Sequence, residues 1–583
     1  MKTLFPISRL RQQGTALAMT MIMTGIALAI LASTMSWSAN NTRLTHRTIQ
    51  YHRSVAAAEA ATEKVLSKMA QDYLIGGEVE VAKNLGNYRQ LVPTGTDSSY
   101  WNNWEFNDTV TKARISVQAG IATNWVLVNS AYAGLRAYDI PYQVASHARV
   151  AGTKEDVVGG VLQEIHLTRI PIFQFAWFST SDTEISCGQP FKITGRVHTN
   201  GKLYVEPDNA LTFQSSVTAV QDILGLDNSS LQRHPLDTRG KPGGSVVYQV
   251  QPETPVPALT LPIGTTNSPE AIRQIIEPPP SGESADSPMG RLRYYNLADL
   301  IIVVTNTGIT ATSGKFNNFT TVVPTNEVAT FVVLTNSFTD KRESKVVKPV
   351  DLNIGNFTEW SRTNTNVRAA LGSNDVASVY IWDRRTLPGT NLSAVRVSNG
   401  QKLPLRGLTI ATARPLYVQG HYNQTNNAYL ATTNTTSTRP ASLVGDAITV
   451  LSTAWNDANS ALAVGSRGAA PTTVNAAFLT GAVETTLGKY SGGVENFPRF
   501  LETWGSGNAF TYNGSMVKMF PSLYATNAWG KSDVYAPPKR DWAYDVSFND
   551  PQKLPPHTPG MLTVLRGQWA TLPPDKNYAS VSP

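Results

Sequence analysis

The histidines are the first side chains to test for chemistry, because imidazole pairs at short spacing are common metal ligands. None of them forms an H-x-H or H-E-x-x-H pair, so the sequence offers no local metal site; they are His46, His52, His147, His166, His198, His234, His421 and His557. His198 lies in "GRVHTNGK". A phosphate loop has four residues between its glycines and Ser or Thr after its lysine, whereas five residues separate Gly195 from Gly201 here and Leu203 follows the lysine. We interpret the stretch as a turn between strands.

Nucleophiles and carboxylate pairs give no stronger signal. Cys187 has no fixed base in view, and no serine lies in a G-x-S-x-G elbow. Asp375 and Asp383 could face each other on a sugar-cleaving β-helix, the architecture of pectin-degrading enzymes. Such enzymes gather several carboxylates on one face, whereas this chain is acid-poor, so we interpret both aspartates as surface-turn residues. We expect no catalytic residue, no cofactor and no metal.

Aromatic side chains are densest in residues 501–583. Two interpretations are open, a sugar- or surface-binding platform and a cap over the end of a stacked β structure, and we favour the cap. The residues are Trp504, Phe510, Tyr512, Phe520, Tyr524, Trp529, Tyr535, Trp542, Tyr544 and Phe548.

The composition of the chain indicates which secondary-structure elements hold these residues. Only 16% of the 583 residues are charged, and Gly, Pro, Asn and Thr are plentiful, which favours short strands joined by turns. The single cysteine excludes an internal disulfide and a cysteine-paired zinc site. The net charge of +7 is spread thinly, so we expect no nucleic-acid partner.

The strand pattern predicts a small α+β head at 76–165 and a large β-rich body at 170–500. Short alternating runs broken by turns, as in "ITGRVHTNGKLYVEPDNALTFQSSVTAV", suggest a parallel β-helix or a β-sandwich, and we favour a right-handed parallel β-helix. A Pro/Ser-rich stretch at 251–290 is predicted to be an exposed excursion around one short helix, from Asn267 to Glu277, with Ser268 as its cap.

The N-terminal stretch holds a long apolar run. Lys2, Arg9 and Arg11 precede it, and no charge occurs from Gln12 to Thr42. The run is long enough to span a membrane, at about 15–39, and longer than the apolar core of an ordinary signal peptide. No Gly or Pro occurs from Arg43 to Tyr73, so we expect one helix over 15–75, about 88 Å long to Tyr73, that ends at Gly76 and Gly77.

A basic leader ending in glycine, followed by an apolar run that becomes an amphipathic helix, resembles the N-terminus of type IV pilins and type II secretion pseudopilins. "RQQGTALAM" and "HRSVAAAEAATEKVLSKM" are similar to the starts of PilX-type and K-type minor subunits. The resemblance implies a leader at 1–14 that a prepilin peptidase removes after Gly14, so that the mature chain begins at Thr15. Met19 stands where major pilins usually have glutamate, an absence typical of K-type tip subunits. An ordinary signal anchor is the alternative.

The body pieces also resemble the large exported regions that are joined to PilX-like N-termini in uncharacterised verrucomicrobial proteins. The predicted fold is therefore mainly β, with a long N-terminal α-helix. Such a chain would be a non-enzymatic minor pilin or pseudopilin-like subunit at or near the tip of a type IV pilus or type II secretion-like filament. The alternative is a membrane-anchored or secreted β-helix enzyme active on polysaccharides, or an adhesin.

The same interpretation predicts location and partners. We expect a single pass of the inner membrane, with the bulk of the chain exported to the periplasm or cell surface. Expected partners are other pilin-like subunits, the inner membrane, a prepilin peptidase and a surface polysaccharide. Small residues would let neighbouring helices approach closely; they are Ala18, Gly25, Ala29 and Ala32.

Overall fold

The computed structural model describes residues 15–108, 113–128, 130–152, 157–505, 507–527, 529 and 533–573. Within these ranges the chain is mainly β with one long helix at its N-terminal end, and that part of the prediction is confirmed. Gly14 and the rest of the leader lie outside the described residues.

Helix α1 runs Thr15–Tyr88 and extends past residue 75, where the sequence predicted its end. Gly77 breaks the helical geometry, with φ of 69° and ψ of −161°, a conformation essentially restricted to glycine. The helix resumes after it because "EVEVAKNL" consists largely of residues compatible with a helix. At the break the N–H of Gly264 donates to the carbonyl of Ile75 at 2.8 Å.

A small antiparallel sheet lies against α1. Its first strands are β1 Trp104–Asn107, β2 Ser116–Ala119, β3 Thr123–Val126, β4 Arg136–Val150 and β5 Gly159–Pro171. Strand β4 pairs with each of the other four. Between sheet and helix lies a core of buried side chains that includes Ala58, Val65, Met69, Val144 and Ile165.

The next strands stack in parallel. They are β6 Trp177–Ser179, β7 Thr183–Ile185, β8 Phe191–Ile193, β9 Val197–Thr199, β10 Leu203–Val205, β11 Ala210–Phe213, β12 Val217–Ala219, β13 Ile223–Leu224 and β14 Ser245–Tyr248. Trp177 is in register with Val197, and Val197 with Val217. The chain thus contributes a strand to each of three parallel sheets in turn and returns one strand further along, 20 residues later at first and 35 residues later at β14, where Leu211 is in register with Val246.

Residues 251–290 are not the exposed excursion that the sequence predicted. Their apolar side chains, among them Leu259, Leu261 and Ile272, are buried in the core that covers the outer face of the largest sheet. Helix α2 Pro269–Arg273 is capped by Ser268 as predicted, with the Ser268 hydroxyl accepting from the Ala271 N–H. The prediction of exposure was wrong because it relied on the high proline and serine content of the stretch. The Leu and Ile side chains between those residues pack into the core.

The second set of strands returns along the stack toward the first. It comprises β15 Leu300–Thr305, β16 Gly308–Lys315, β17 Asn318–Val323, β18 Val332–Val333, β19 Phe338–Asp340, β20 Lys345–Asn353, β21 Ser378–Asp383, β22 Leu392–Ser398, β23 Leu408–Ala411, β24 Leu416–Gln419, β25 Ala441–Gly445, β26 Ile448–Leu451, β27 Thr472–Asn475, β28 Ala477–Ala482, β29 Arg499–Phe500, β30 Ala509–Gly514, β31 Met516–Pro521 and β32 Lys539–Tyr544. The helices among them are α3 Tyr294–Leu297, α4 Thr325–Val328, α5 Ile354–Thr363 and α6 Thr365–Ala370. Short 3₁₀ turns occur at Ser99–Asn103, Ile172–Gln174, Gln274–Ile276, Asn427–Tyr429, Asp457–Asn459, Val464–Ser466, Val494–Asn496, Val546–Asn549 and Pro551–Lys553.

The largest sheet has the order β12, β9, β6, β31, β28, β25, β23, β21, β15, β16, β17. Strand β31 therefore lies inside the sheet, parallel to β28 on one side and β6 on the other. This corrects the prediction of an aromatic cap over an open end. The aromatic rings of this region, with Trp504, Phe510 and Tyr512 buried, fill the joint between the two sets of stacked strands.

The last described strand, β33 Gly560–Leu572, leaves the body and returns to the head. It pairs antiparallel with β5 and completes a six-stranded sheet. The predicted C-terminal region thus divides between body and head. Within the described residues no sheet closes on itself.

Candidate membrane and assembly site

The first half of α1 stands clear of the rest of the chain. Every residue from Thr15 to Ile49 is exposed. This segment is long and apolar enough to cross a membrane, and it has no charge before Arg43. Large apolar side chains in water are costly, at roughly 25 cal/mol per Å² of apolar surface. Such a surface therefore requires lipid or protein around it.

Threonine hydroxyls of this segment are satisfied within the helix. The hydroxyl of Thr20 donates to the carbonyl of Leu17 at 2.9 Å, and the hydroxyl of Thr24 donates to the carbonyl of Thr20 at 2.6 Å. Thr34 bonds in the same way to Leu31. Groups that already have partners can enter a hydrocarbon environment without an unmet hydrogen bond.

The small residues predicted for close packing share one face. At 100° per residue, Ala18, Gly25, Ala29 and Ala32 fall within a narrow stripe along the helix. All four are exposed, and Met19 beside them is 70% exposed. A Cβ added to Gly25 would have no atom within 4 Å. The stripe is therefore available to another helix, and nothing in the described chain occupies it.

The second half of α1 is fixed to the head. The hydroxyl of Ser54 donates to the carbonyl of Val157 at 3.0 Å, at the point where the helix first meets the sheet. Further along, the Tyr88 hydroxyl donates to the Asp72 carboxylate at 2.7 Å across the break at Gly77. The exposed segment is consequently held on a rigid base.

His198 and Cys187, the two candidates for chemistry in the first stacked strands, are enclosed. The His198 ring lies between the Thr218 hydroxyl, 2.9 Å from Nδ1, and the Asn200 amide oxygen, 3.0 Å from Nε2. Burial lowers the pKa of His198 to about 4. Burial raises the pKa of the Cys187 thiol to about 12, so this thiol is not a nucleophile near neutral pH.

Asp375 and Asp383 do not share a site. Asp375 precedes β21 and accepts a hydrogen bond from the Leu405 N–H at 2.7 Å. Asp383 is the last residue of the same strand, about 17 Å from the first residue of β21. The Asp383 carboxylate accepts a hydrogen bond from the Arg385 guanidinium at 2.6 Å. Both carboxylates bond to nearby backbone or side-chain groups, but the prediction of surface turns was wrong, because Asp375 is 8% and Asp383 2% exposed.

One serine and one histidine do meet. The Oγ of Ser378 lies 3.0 Å from Nε2 of His557, the contact expected of an activated nucleophile. Ser378 is only 2% exposed, however, and its Oγ accepts the Asp299 N–H at 2.9 Å. The contact ties the segment before β33 to the sheet, and the buried Ser378 hydroxyl is already held by the Asp299 N–H.

Three buried glutamates lie close together, one within β7, one directly after β10 and one in the 3₁₀ turn Val494–Asn496, and sequence reasoning missed them. The hydroxyl of Thr485 donates to Glu184 at 2.7 Å, and the N–H of His234 donates to Glu206 at 2.9 Å. The Tyr490 hydroxyl donates to Glu495 at 3.1 Å. Glu184 and Glu206 are 22 residues apart, but Glu495 lies almost three hundred residues further along the sequence, so no local motif could have identified the group.

The environment of these glutamates favours their protonated forms. Burial raises the pKa of Glu206 to about 8 and that of Glu495 to about 7, and it also raises the pKa of Glu184. All three are at most 9% exposed. They are enclosed, and Glu184 borders a cavity of only about 40 Å³. Among the described residues no group of three His, Cys, Asp or Glu could hold a metal ion.

Comparison with known proteins adds little. No known protein family matches the chain, and no curated protein matches it. A solved structure that does match is the competence-associated pilin ComZ from Thermus thermophilus, with 9% identity, 90% of this chain and 98% of that chain covered, and a TM-score of 0.28. A TM-score this low carries no argument about function.

Proposed function

We propose that this chain is a non-enzymatic minor pilin or pseudopilin-like subunit, anchored in the inner membrane and acting at or near a filament tip. The observation that carries the proposal is the exposed segment of α1 from Thr15 to Ile49. It combines the length of a membrane span with a stripe of small residues suited to helix packing. The second half of the same helix forms part of the head core.

The size of the exported part supports a tip position. Copies of a subunit that repeats along a filament must clear one another, and a head joined to several hundred residues of stacked strands would clash with the next copy. Met19 agrees with this, because it cannot form the charge pair that the usual glutamate of major pilins makes. The enzyme alternative needs exposed carboxylates grouped in a groove, whereas the grouped glutamates here are buried.

The same proposal covers how the chain is processed, what it packs against and where it lies. A prepilin peptidase would cut after Gly14 and leave Thr15 as the first residue, and other pilin-like subunits would pack against the stripe. The bulk of the chain would lie in the periplasm or at the cell surface. The basic leader before an uncharged run supports this orientation.

We also propose that the body is a right-handed parallel β-helix. The registers of Thr183 with Leu203 and of Leu203 with Ile223 support coils stacked at a constant offset. Connections between parallel strands of one sheet are right-handed in about 98% of cases, which supports the handedness.

The test is to purify the protein from native membranes and determine its mature N-terminus and its partners after crosslinking. A chain that begins at Thr15 and crosslinks through α1 to other pilin-like subunits is the expected result. A chain that keeps its leader and crosslinks to no such subunit would show a plain membrane anchor.

A further inference from the structure

A groove of about 860 Å³ with basic walls lies between the body and the segment that leads to β33. Its cationic residues, which define the basic groove, are Arg136, Arg406, Arg439 and Lys553. A second groove of about 520 Å³ adjoins it, shares Arg136, and adds Arg169 and Arg291. Both volumes are of the order found for ligand sites.

Two arginines of the basic groove are held by buried amides in the same way. The Arg136 N–H donates to the Gln174 side-chain oxygen at 2.9 Å, and the Gln174 amide donates back to the Arg136 carbonyl at 2.6 Å. The Arg439 N–H donates to the Asn423 side-chain oxygen at 2.8 Å, and the Asn423 amide donates to the Arg439 carbonyl at 2.7 Å. Gln174 and Asn423 are 2% and 3% exposed. The backbones of both arginines are thus fixed while their side chains remain exposed.

The positive charge in the basic groove is largely uncompensated. Arg136, Arg439 and Lys553 form no ion pair with any residue that the structure describes. Asp550 is the one acidic side chain among the described residues lining the groove, and it accepts the Gln552 N–H at 3.0 Å. A cleft lined by one sign of charge concentrates the field and attracts ligands of opposite charge.

We propose that the basic groove binds an acidic polysaccharide whose sugars carry carboxylates. The planar guanidinium matches a carboxylate with two parallel hydrogen bonds, and two pre-positioned arginines can engage successive acidic sugars. Hydroxyl and amide side chains on the walls, Thr436, Ser547, Asn549 and Gln552, suit the hydroxyls of a sugar chain. This surface is distinct from the exposed part of α1, so the proposal stands independently of the pilin role.

The groove suits a sugar chain better than a nucleic acid. Proteins that bind single strands stack bases on exposed aromatic rings. The aromatic residue among the described residues lining the basic groove is Phe548, which is 2% exposed. In the adjoining groove the Tyr138 ring is covered by the Arg169 guanidinium, 5.1 Å from its centroid. Neither ring offers a stacking platform.

The experiment is calorimetric titration of the full-length protein in detergent with oligogalacturonate, with its neutral methyl ester, and with single-stranded and duplex DNA. The variants are Arg136→Gln and Arg439→Gln, which keep the backbone bonds to Gln174 and Asn423. Arg362→Gln is the matched control, because Arg362 is an exposed arginine on α5 outside both grooves.

We expect oligogalacturonate to bind and its ester not to bind. Each groove variant should lose roughly tenfold in affinity, the effect of one hydrogen-bonded charge, with an unchanged thermal midpoint, while Arg362→Gln binds like the parent. Affinity should fall as salt rises from about 50 to about 200 mM. The proposal is overturned if oligogalacturonate does not bind, if the ester binds equally well, if DNA binds more tightly than oligogalacturonate, or if the groove variants match the parent.

Discussion

Gly159 lies against the backbone of Val55, so closely that a Cβ on residue 159 would be 2.5 Å from the Val55 nitrogen. The first residue of β5 and the helix therefore meet backbone to backbone. This contact begins the interface between α1 and the head.

Gly159→Ala should weaken this interface. The added methyl group must displace either the helix or the strand, and overpacking of this kind costs about 1–3 kcal/mol. The measurement is hydrogen exchange of the amides of β4 and β5, which should speed up. Gly188→Ala is the control, because a Cβ at Gly188 meets no atom within 4 Å. Equal exchange in the two variants would show that the close approach is not required.

Gly25→Leu should block helix packing without disturbing the folded head and body. The substitution keeps the segment apolar, removes about 1 kcal/mol of unfavourable helix propensity, and fills the stripe of small residues. Membrane insertion and the thermal midpoint should stay the same, and co-purification with pilin-like subunits should fall. Ala27→Leu adds similar bulk on the opposite face of the helix and should leave co-purification intact. If both variants co-purify like the parent, packing through this stripe is wrong.

Substitution of Gly14 tests processing. We expect Gly14→Ala to be cut more slowly and Gly14→Leu to keep the leader, because the proposed peptidase requires a small residue before the cut. Intact mass measurement of the purified chain distinguishes the products. A start at Asn40 in the parent would instead indicate ordinary signal cleavage.

Glu206→Gln tests the buried glutamates through pH. Burial raises the pKa of Glu206 in the folded protein to about 8 from an ordinary 4.5. The folded state therefore holds a proton that the unfolded chain has released, and stability falls as pH rises from about 4.5 to 8. Glutamine cannot ionise, so the variant should lose this slope, up to about 1.4 kcal/mol per pH unit. Urea unfolding at pH 5, 6.5 and 8 measures it; parallel slopes in parent and variant would contradict the assignment.

What could be predicted from the sequence depended on how local the determinants are. The long helix could be predicted because charges, and then Gly and Pro, are absent over tens of residues. The Ser268 cap could be predicted because it depends only on the residues from Ser268 to Ala271. The position of β31 could not be foreseen, because its partners β6 and β28 are chosen by packing across the whole body. The contact between Thr485 and Glu184 likewise joins residues 301 positions apart.

The position of β31 also decides when the protein can finish folding. Before residue 516 is synthesised, β6 and β28 each lack a neighbouring strand on one side. The residues of β6 are made more than three hundred residues before β31. The head waits as well, since β5 pairs with β4 on one side but its neighbour on the other side, β33, begins at Gly560. Contacts this distant in sequence fold slowly, and open strand edges invite wrong pairing. Head and body are therefore completed only after β31 and β33 have been made, and a chain truncated before β31 is left with open strand edges in both.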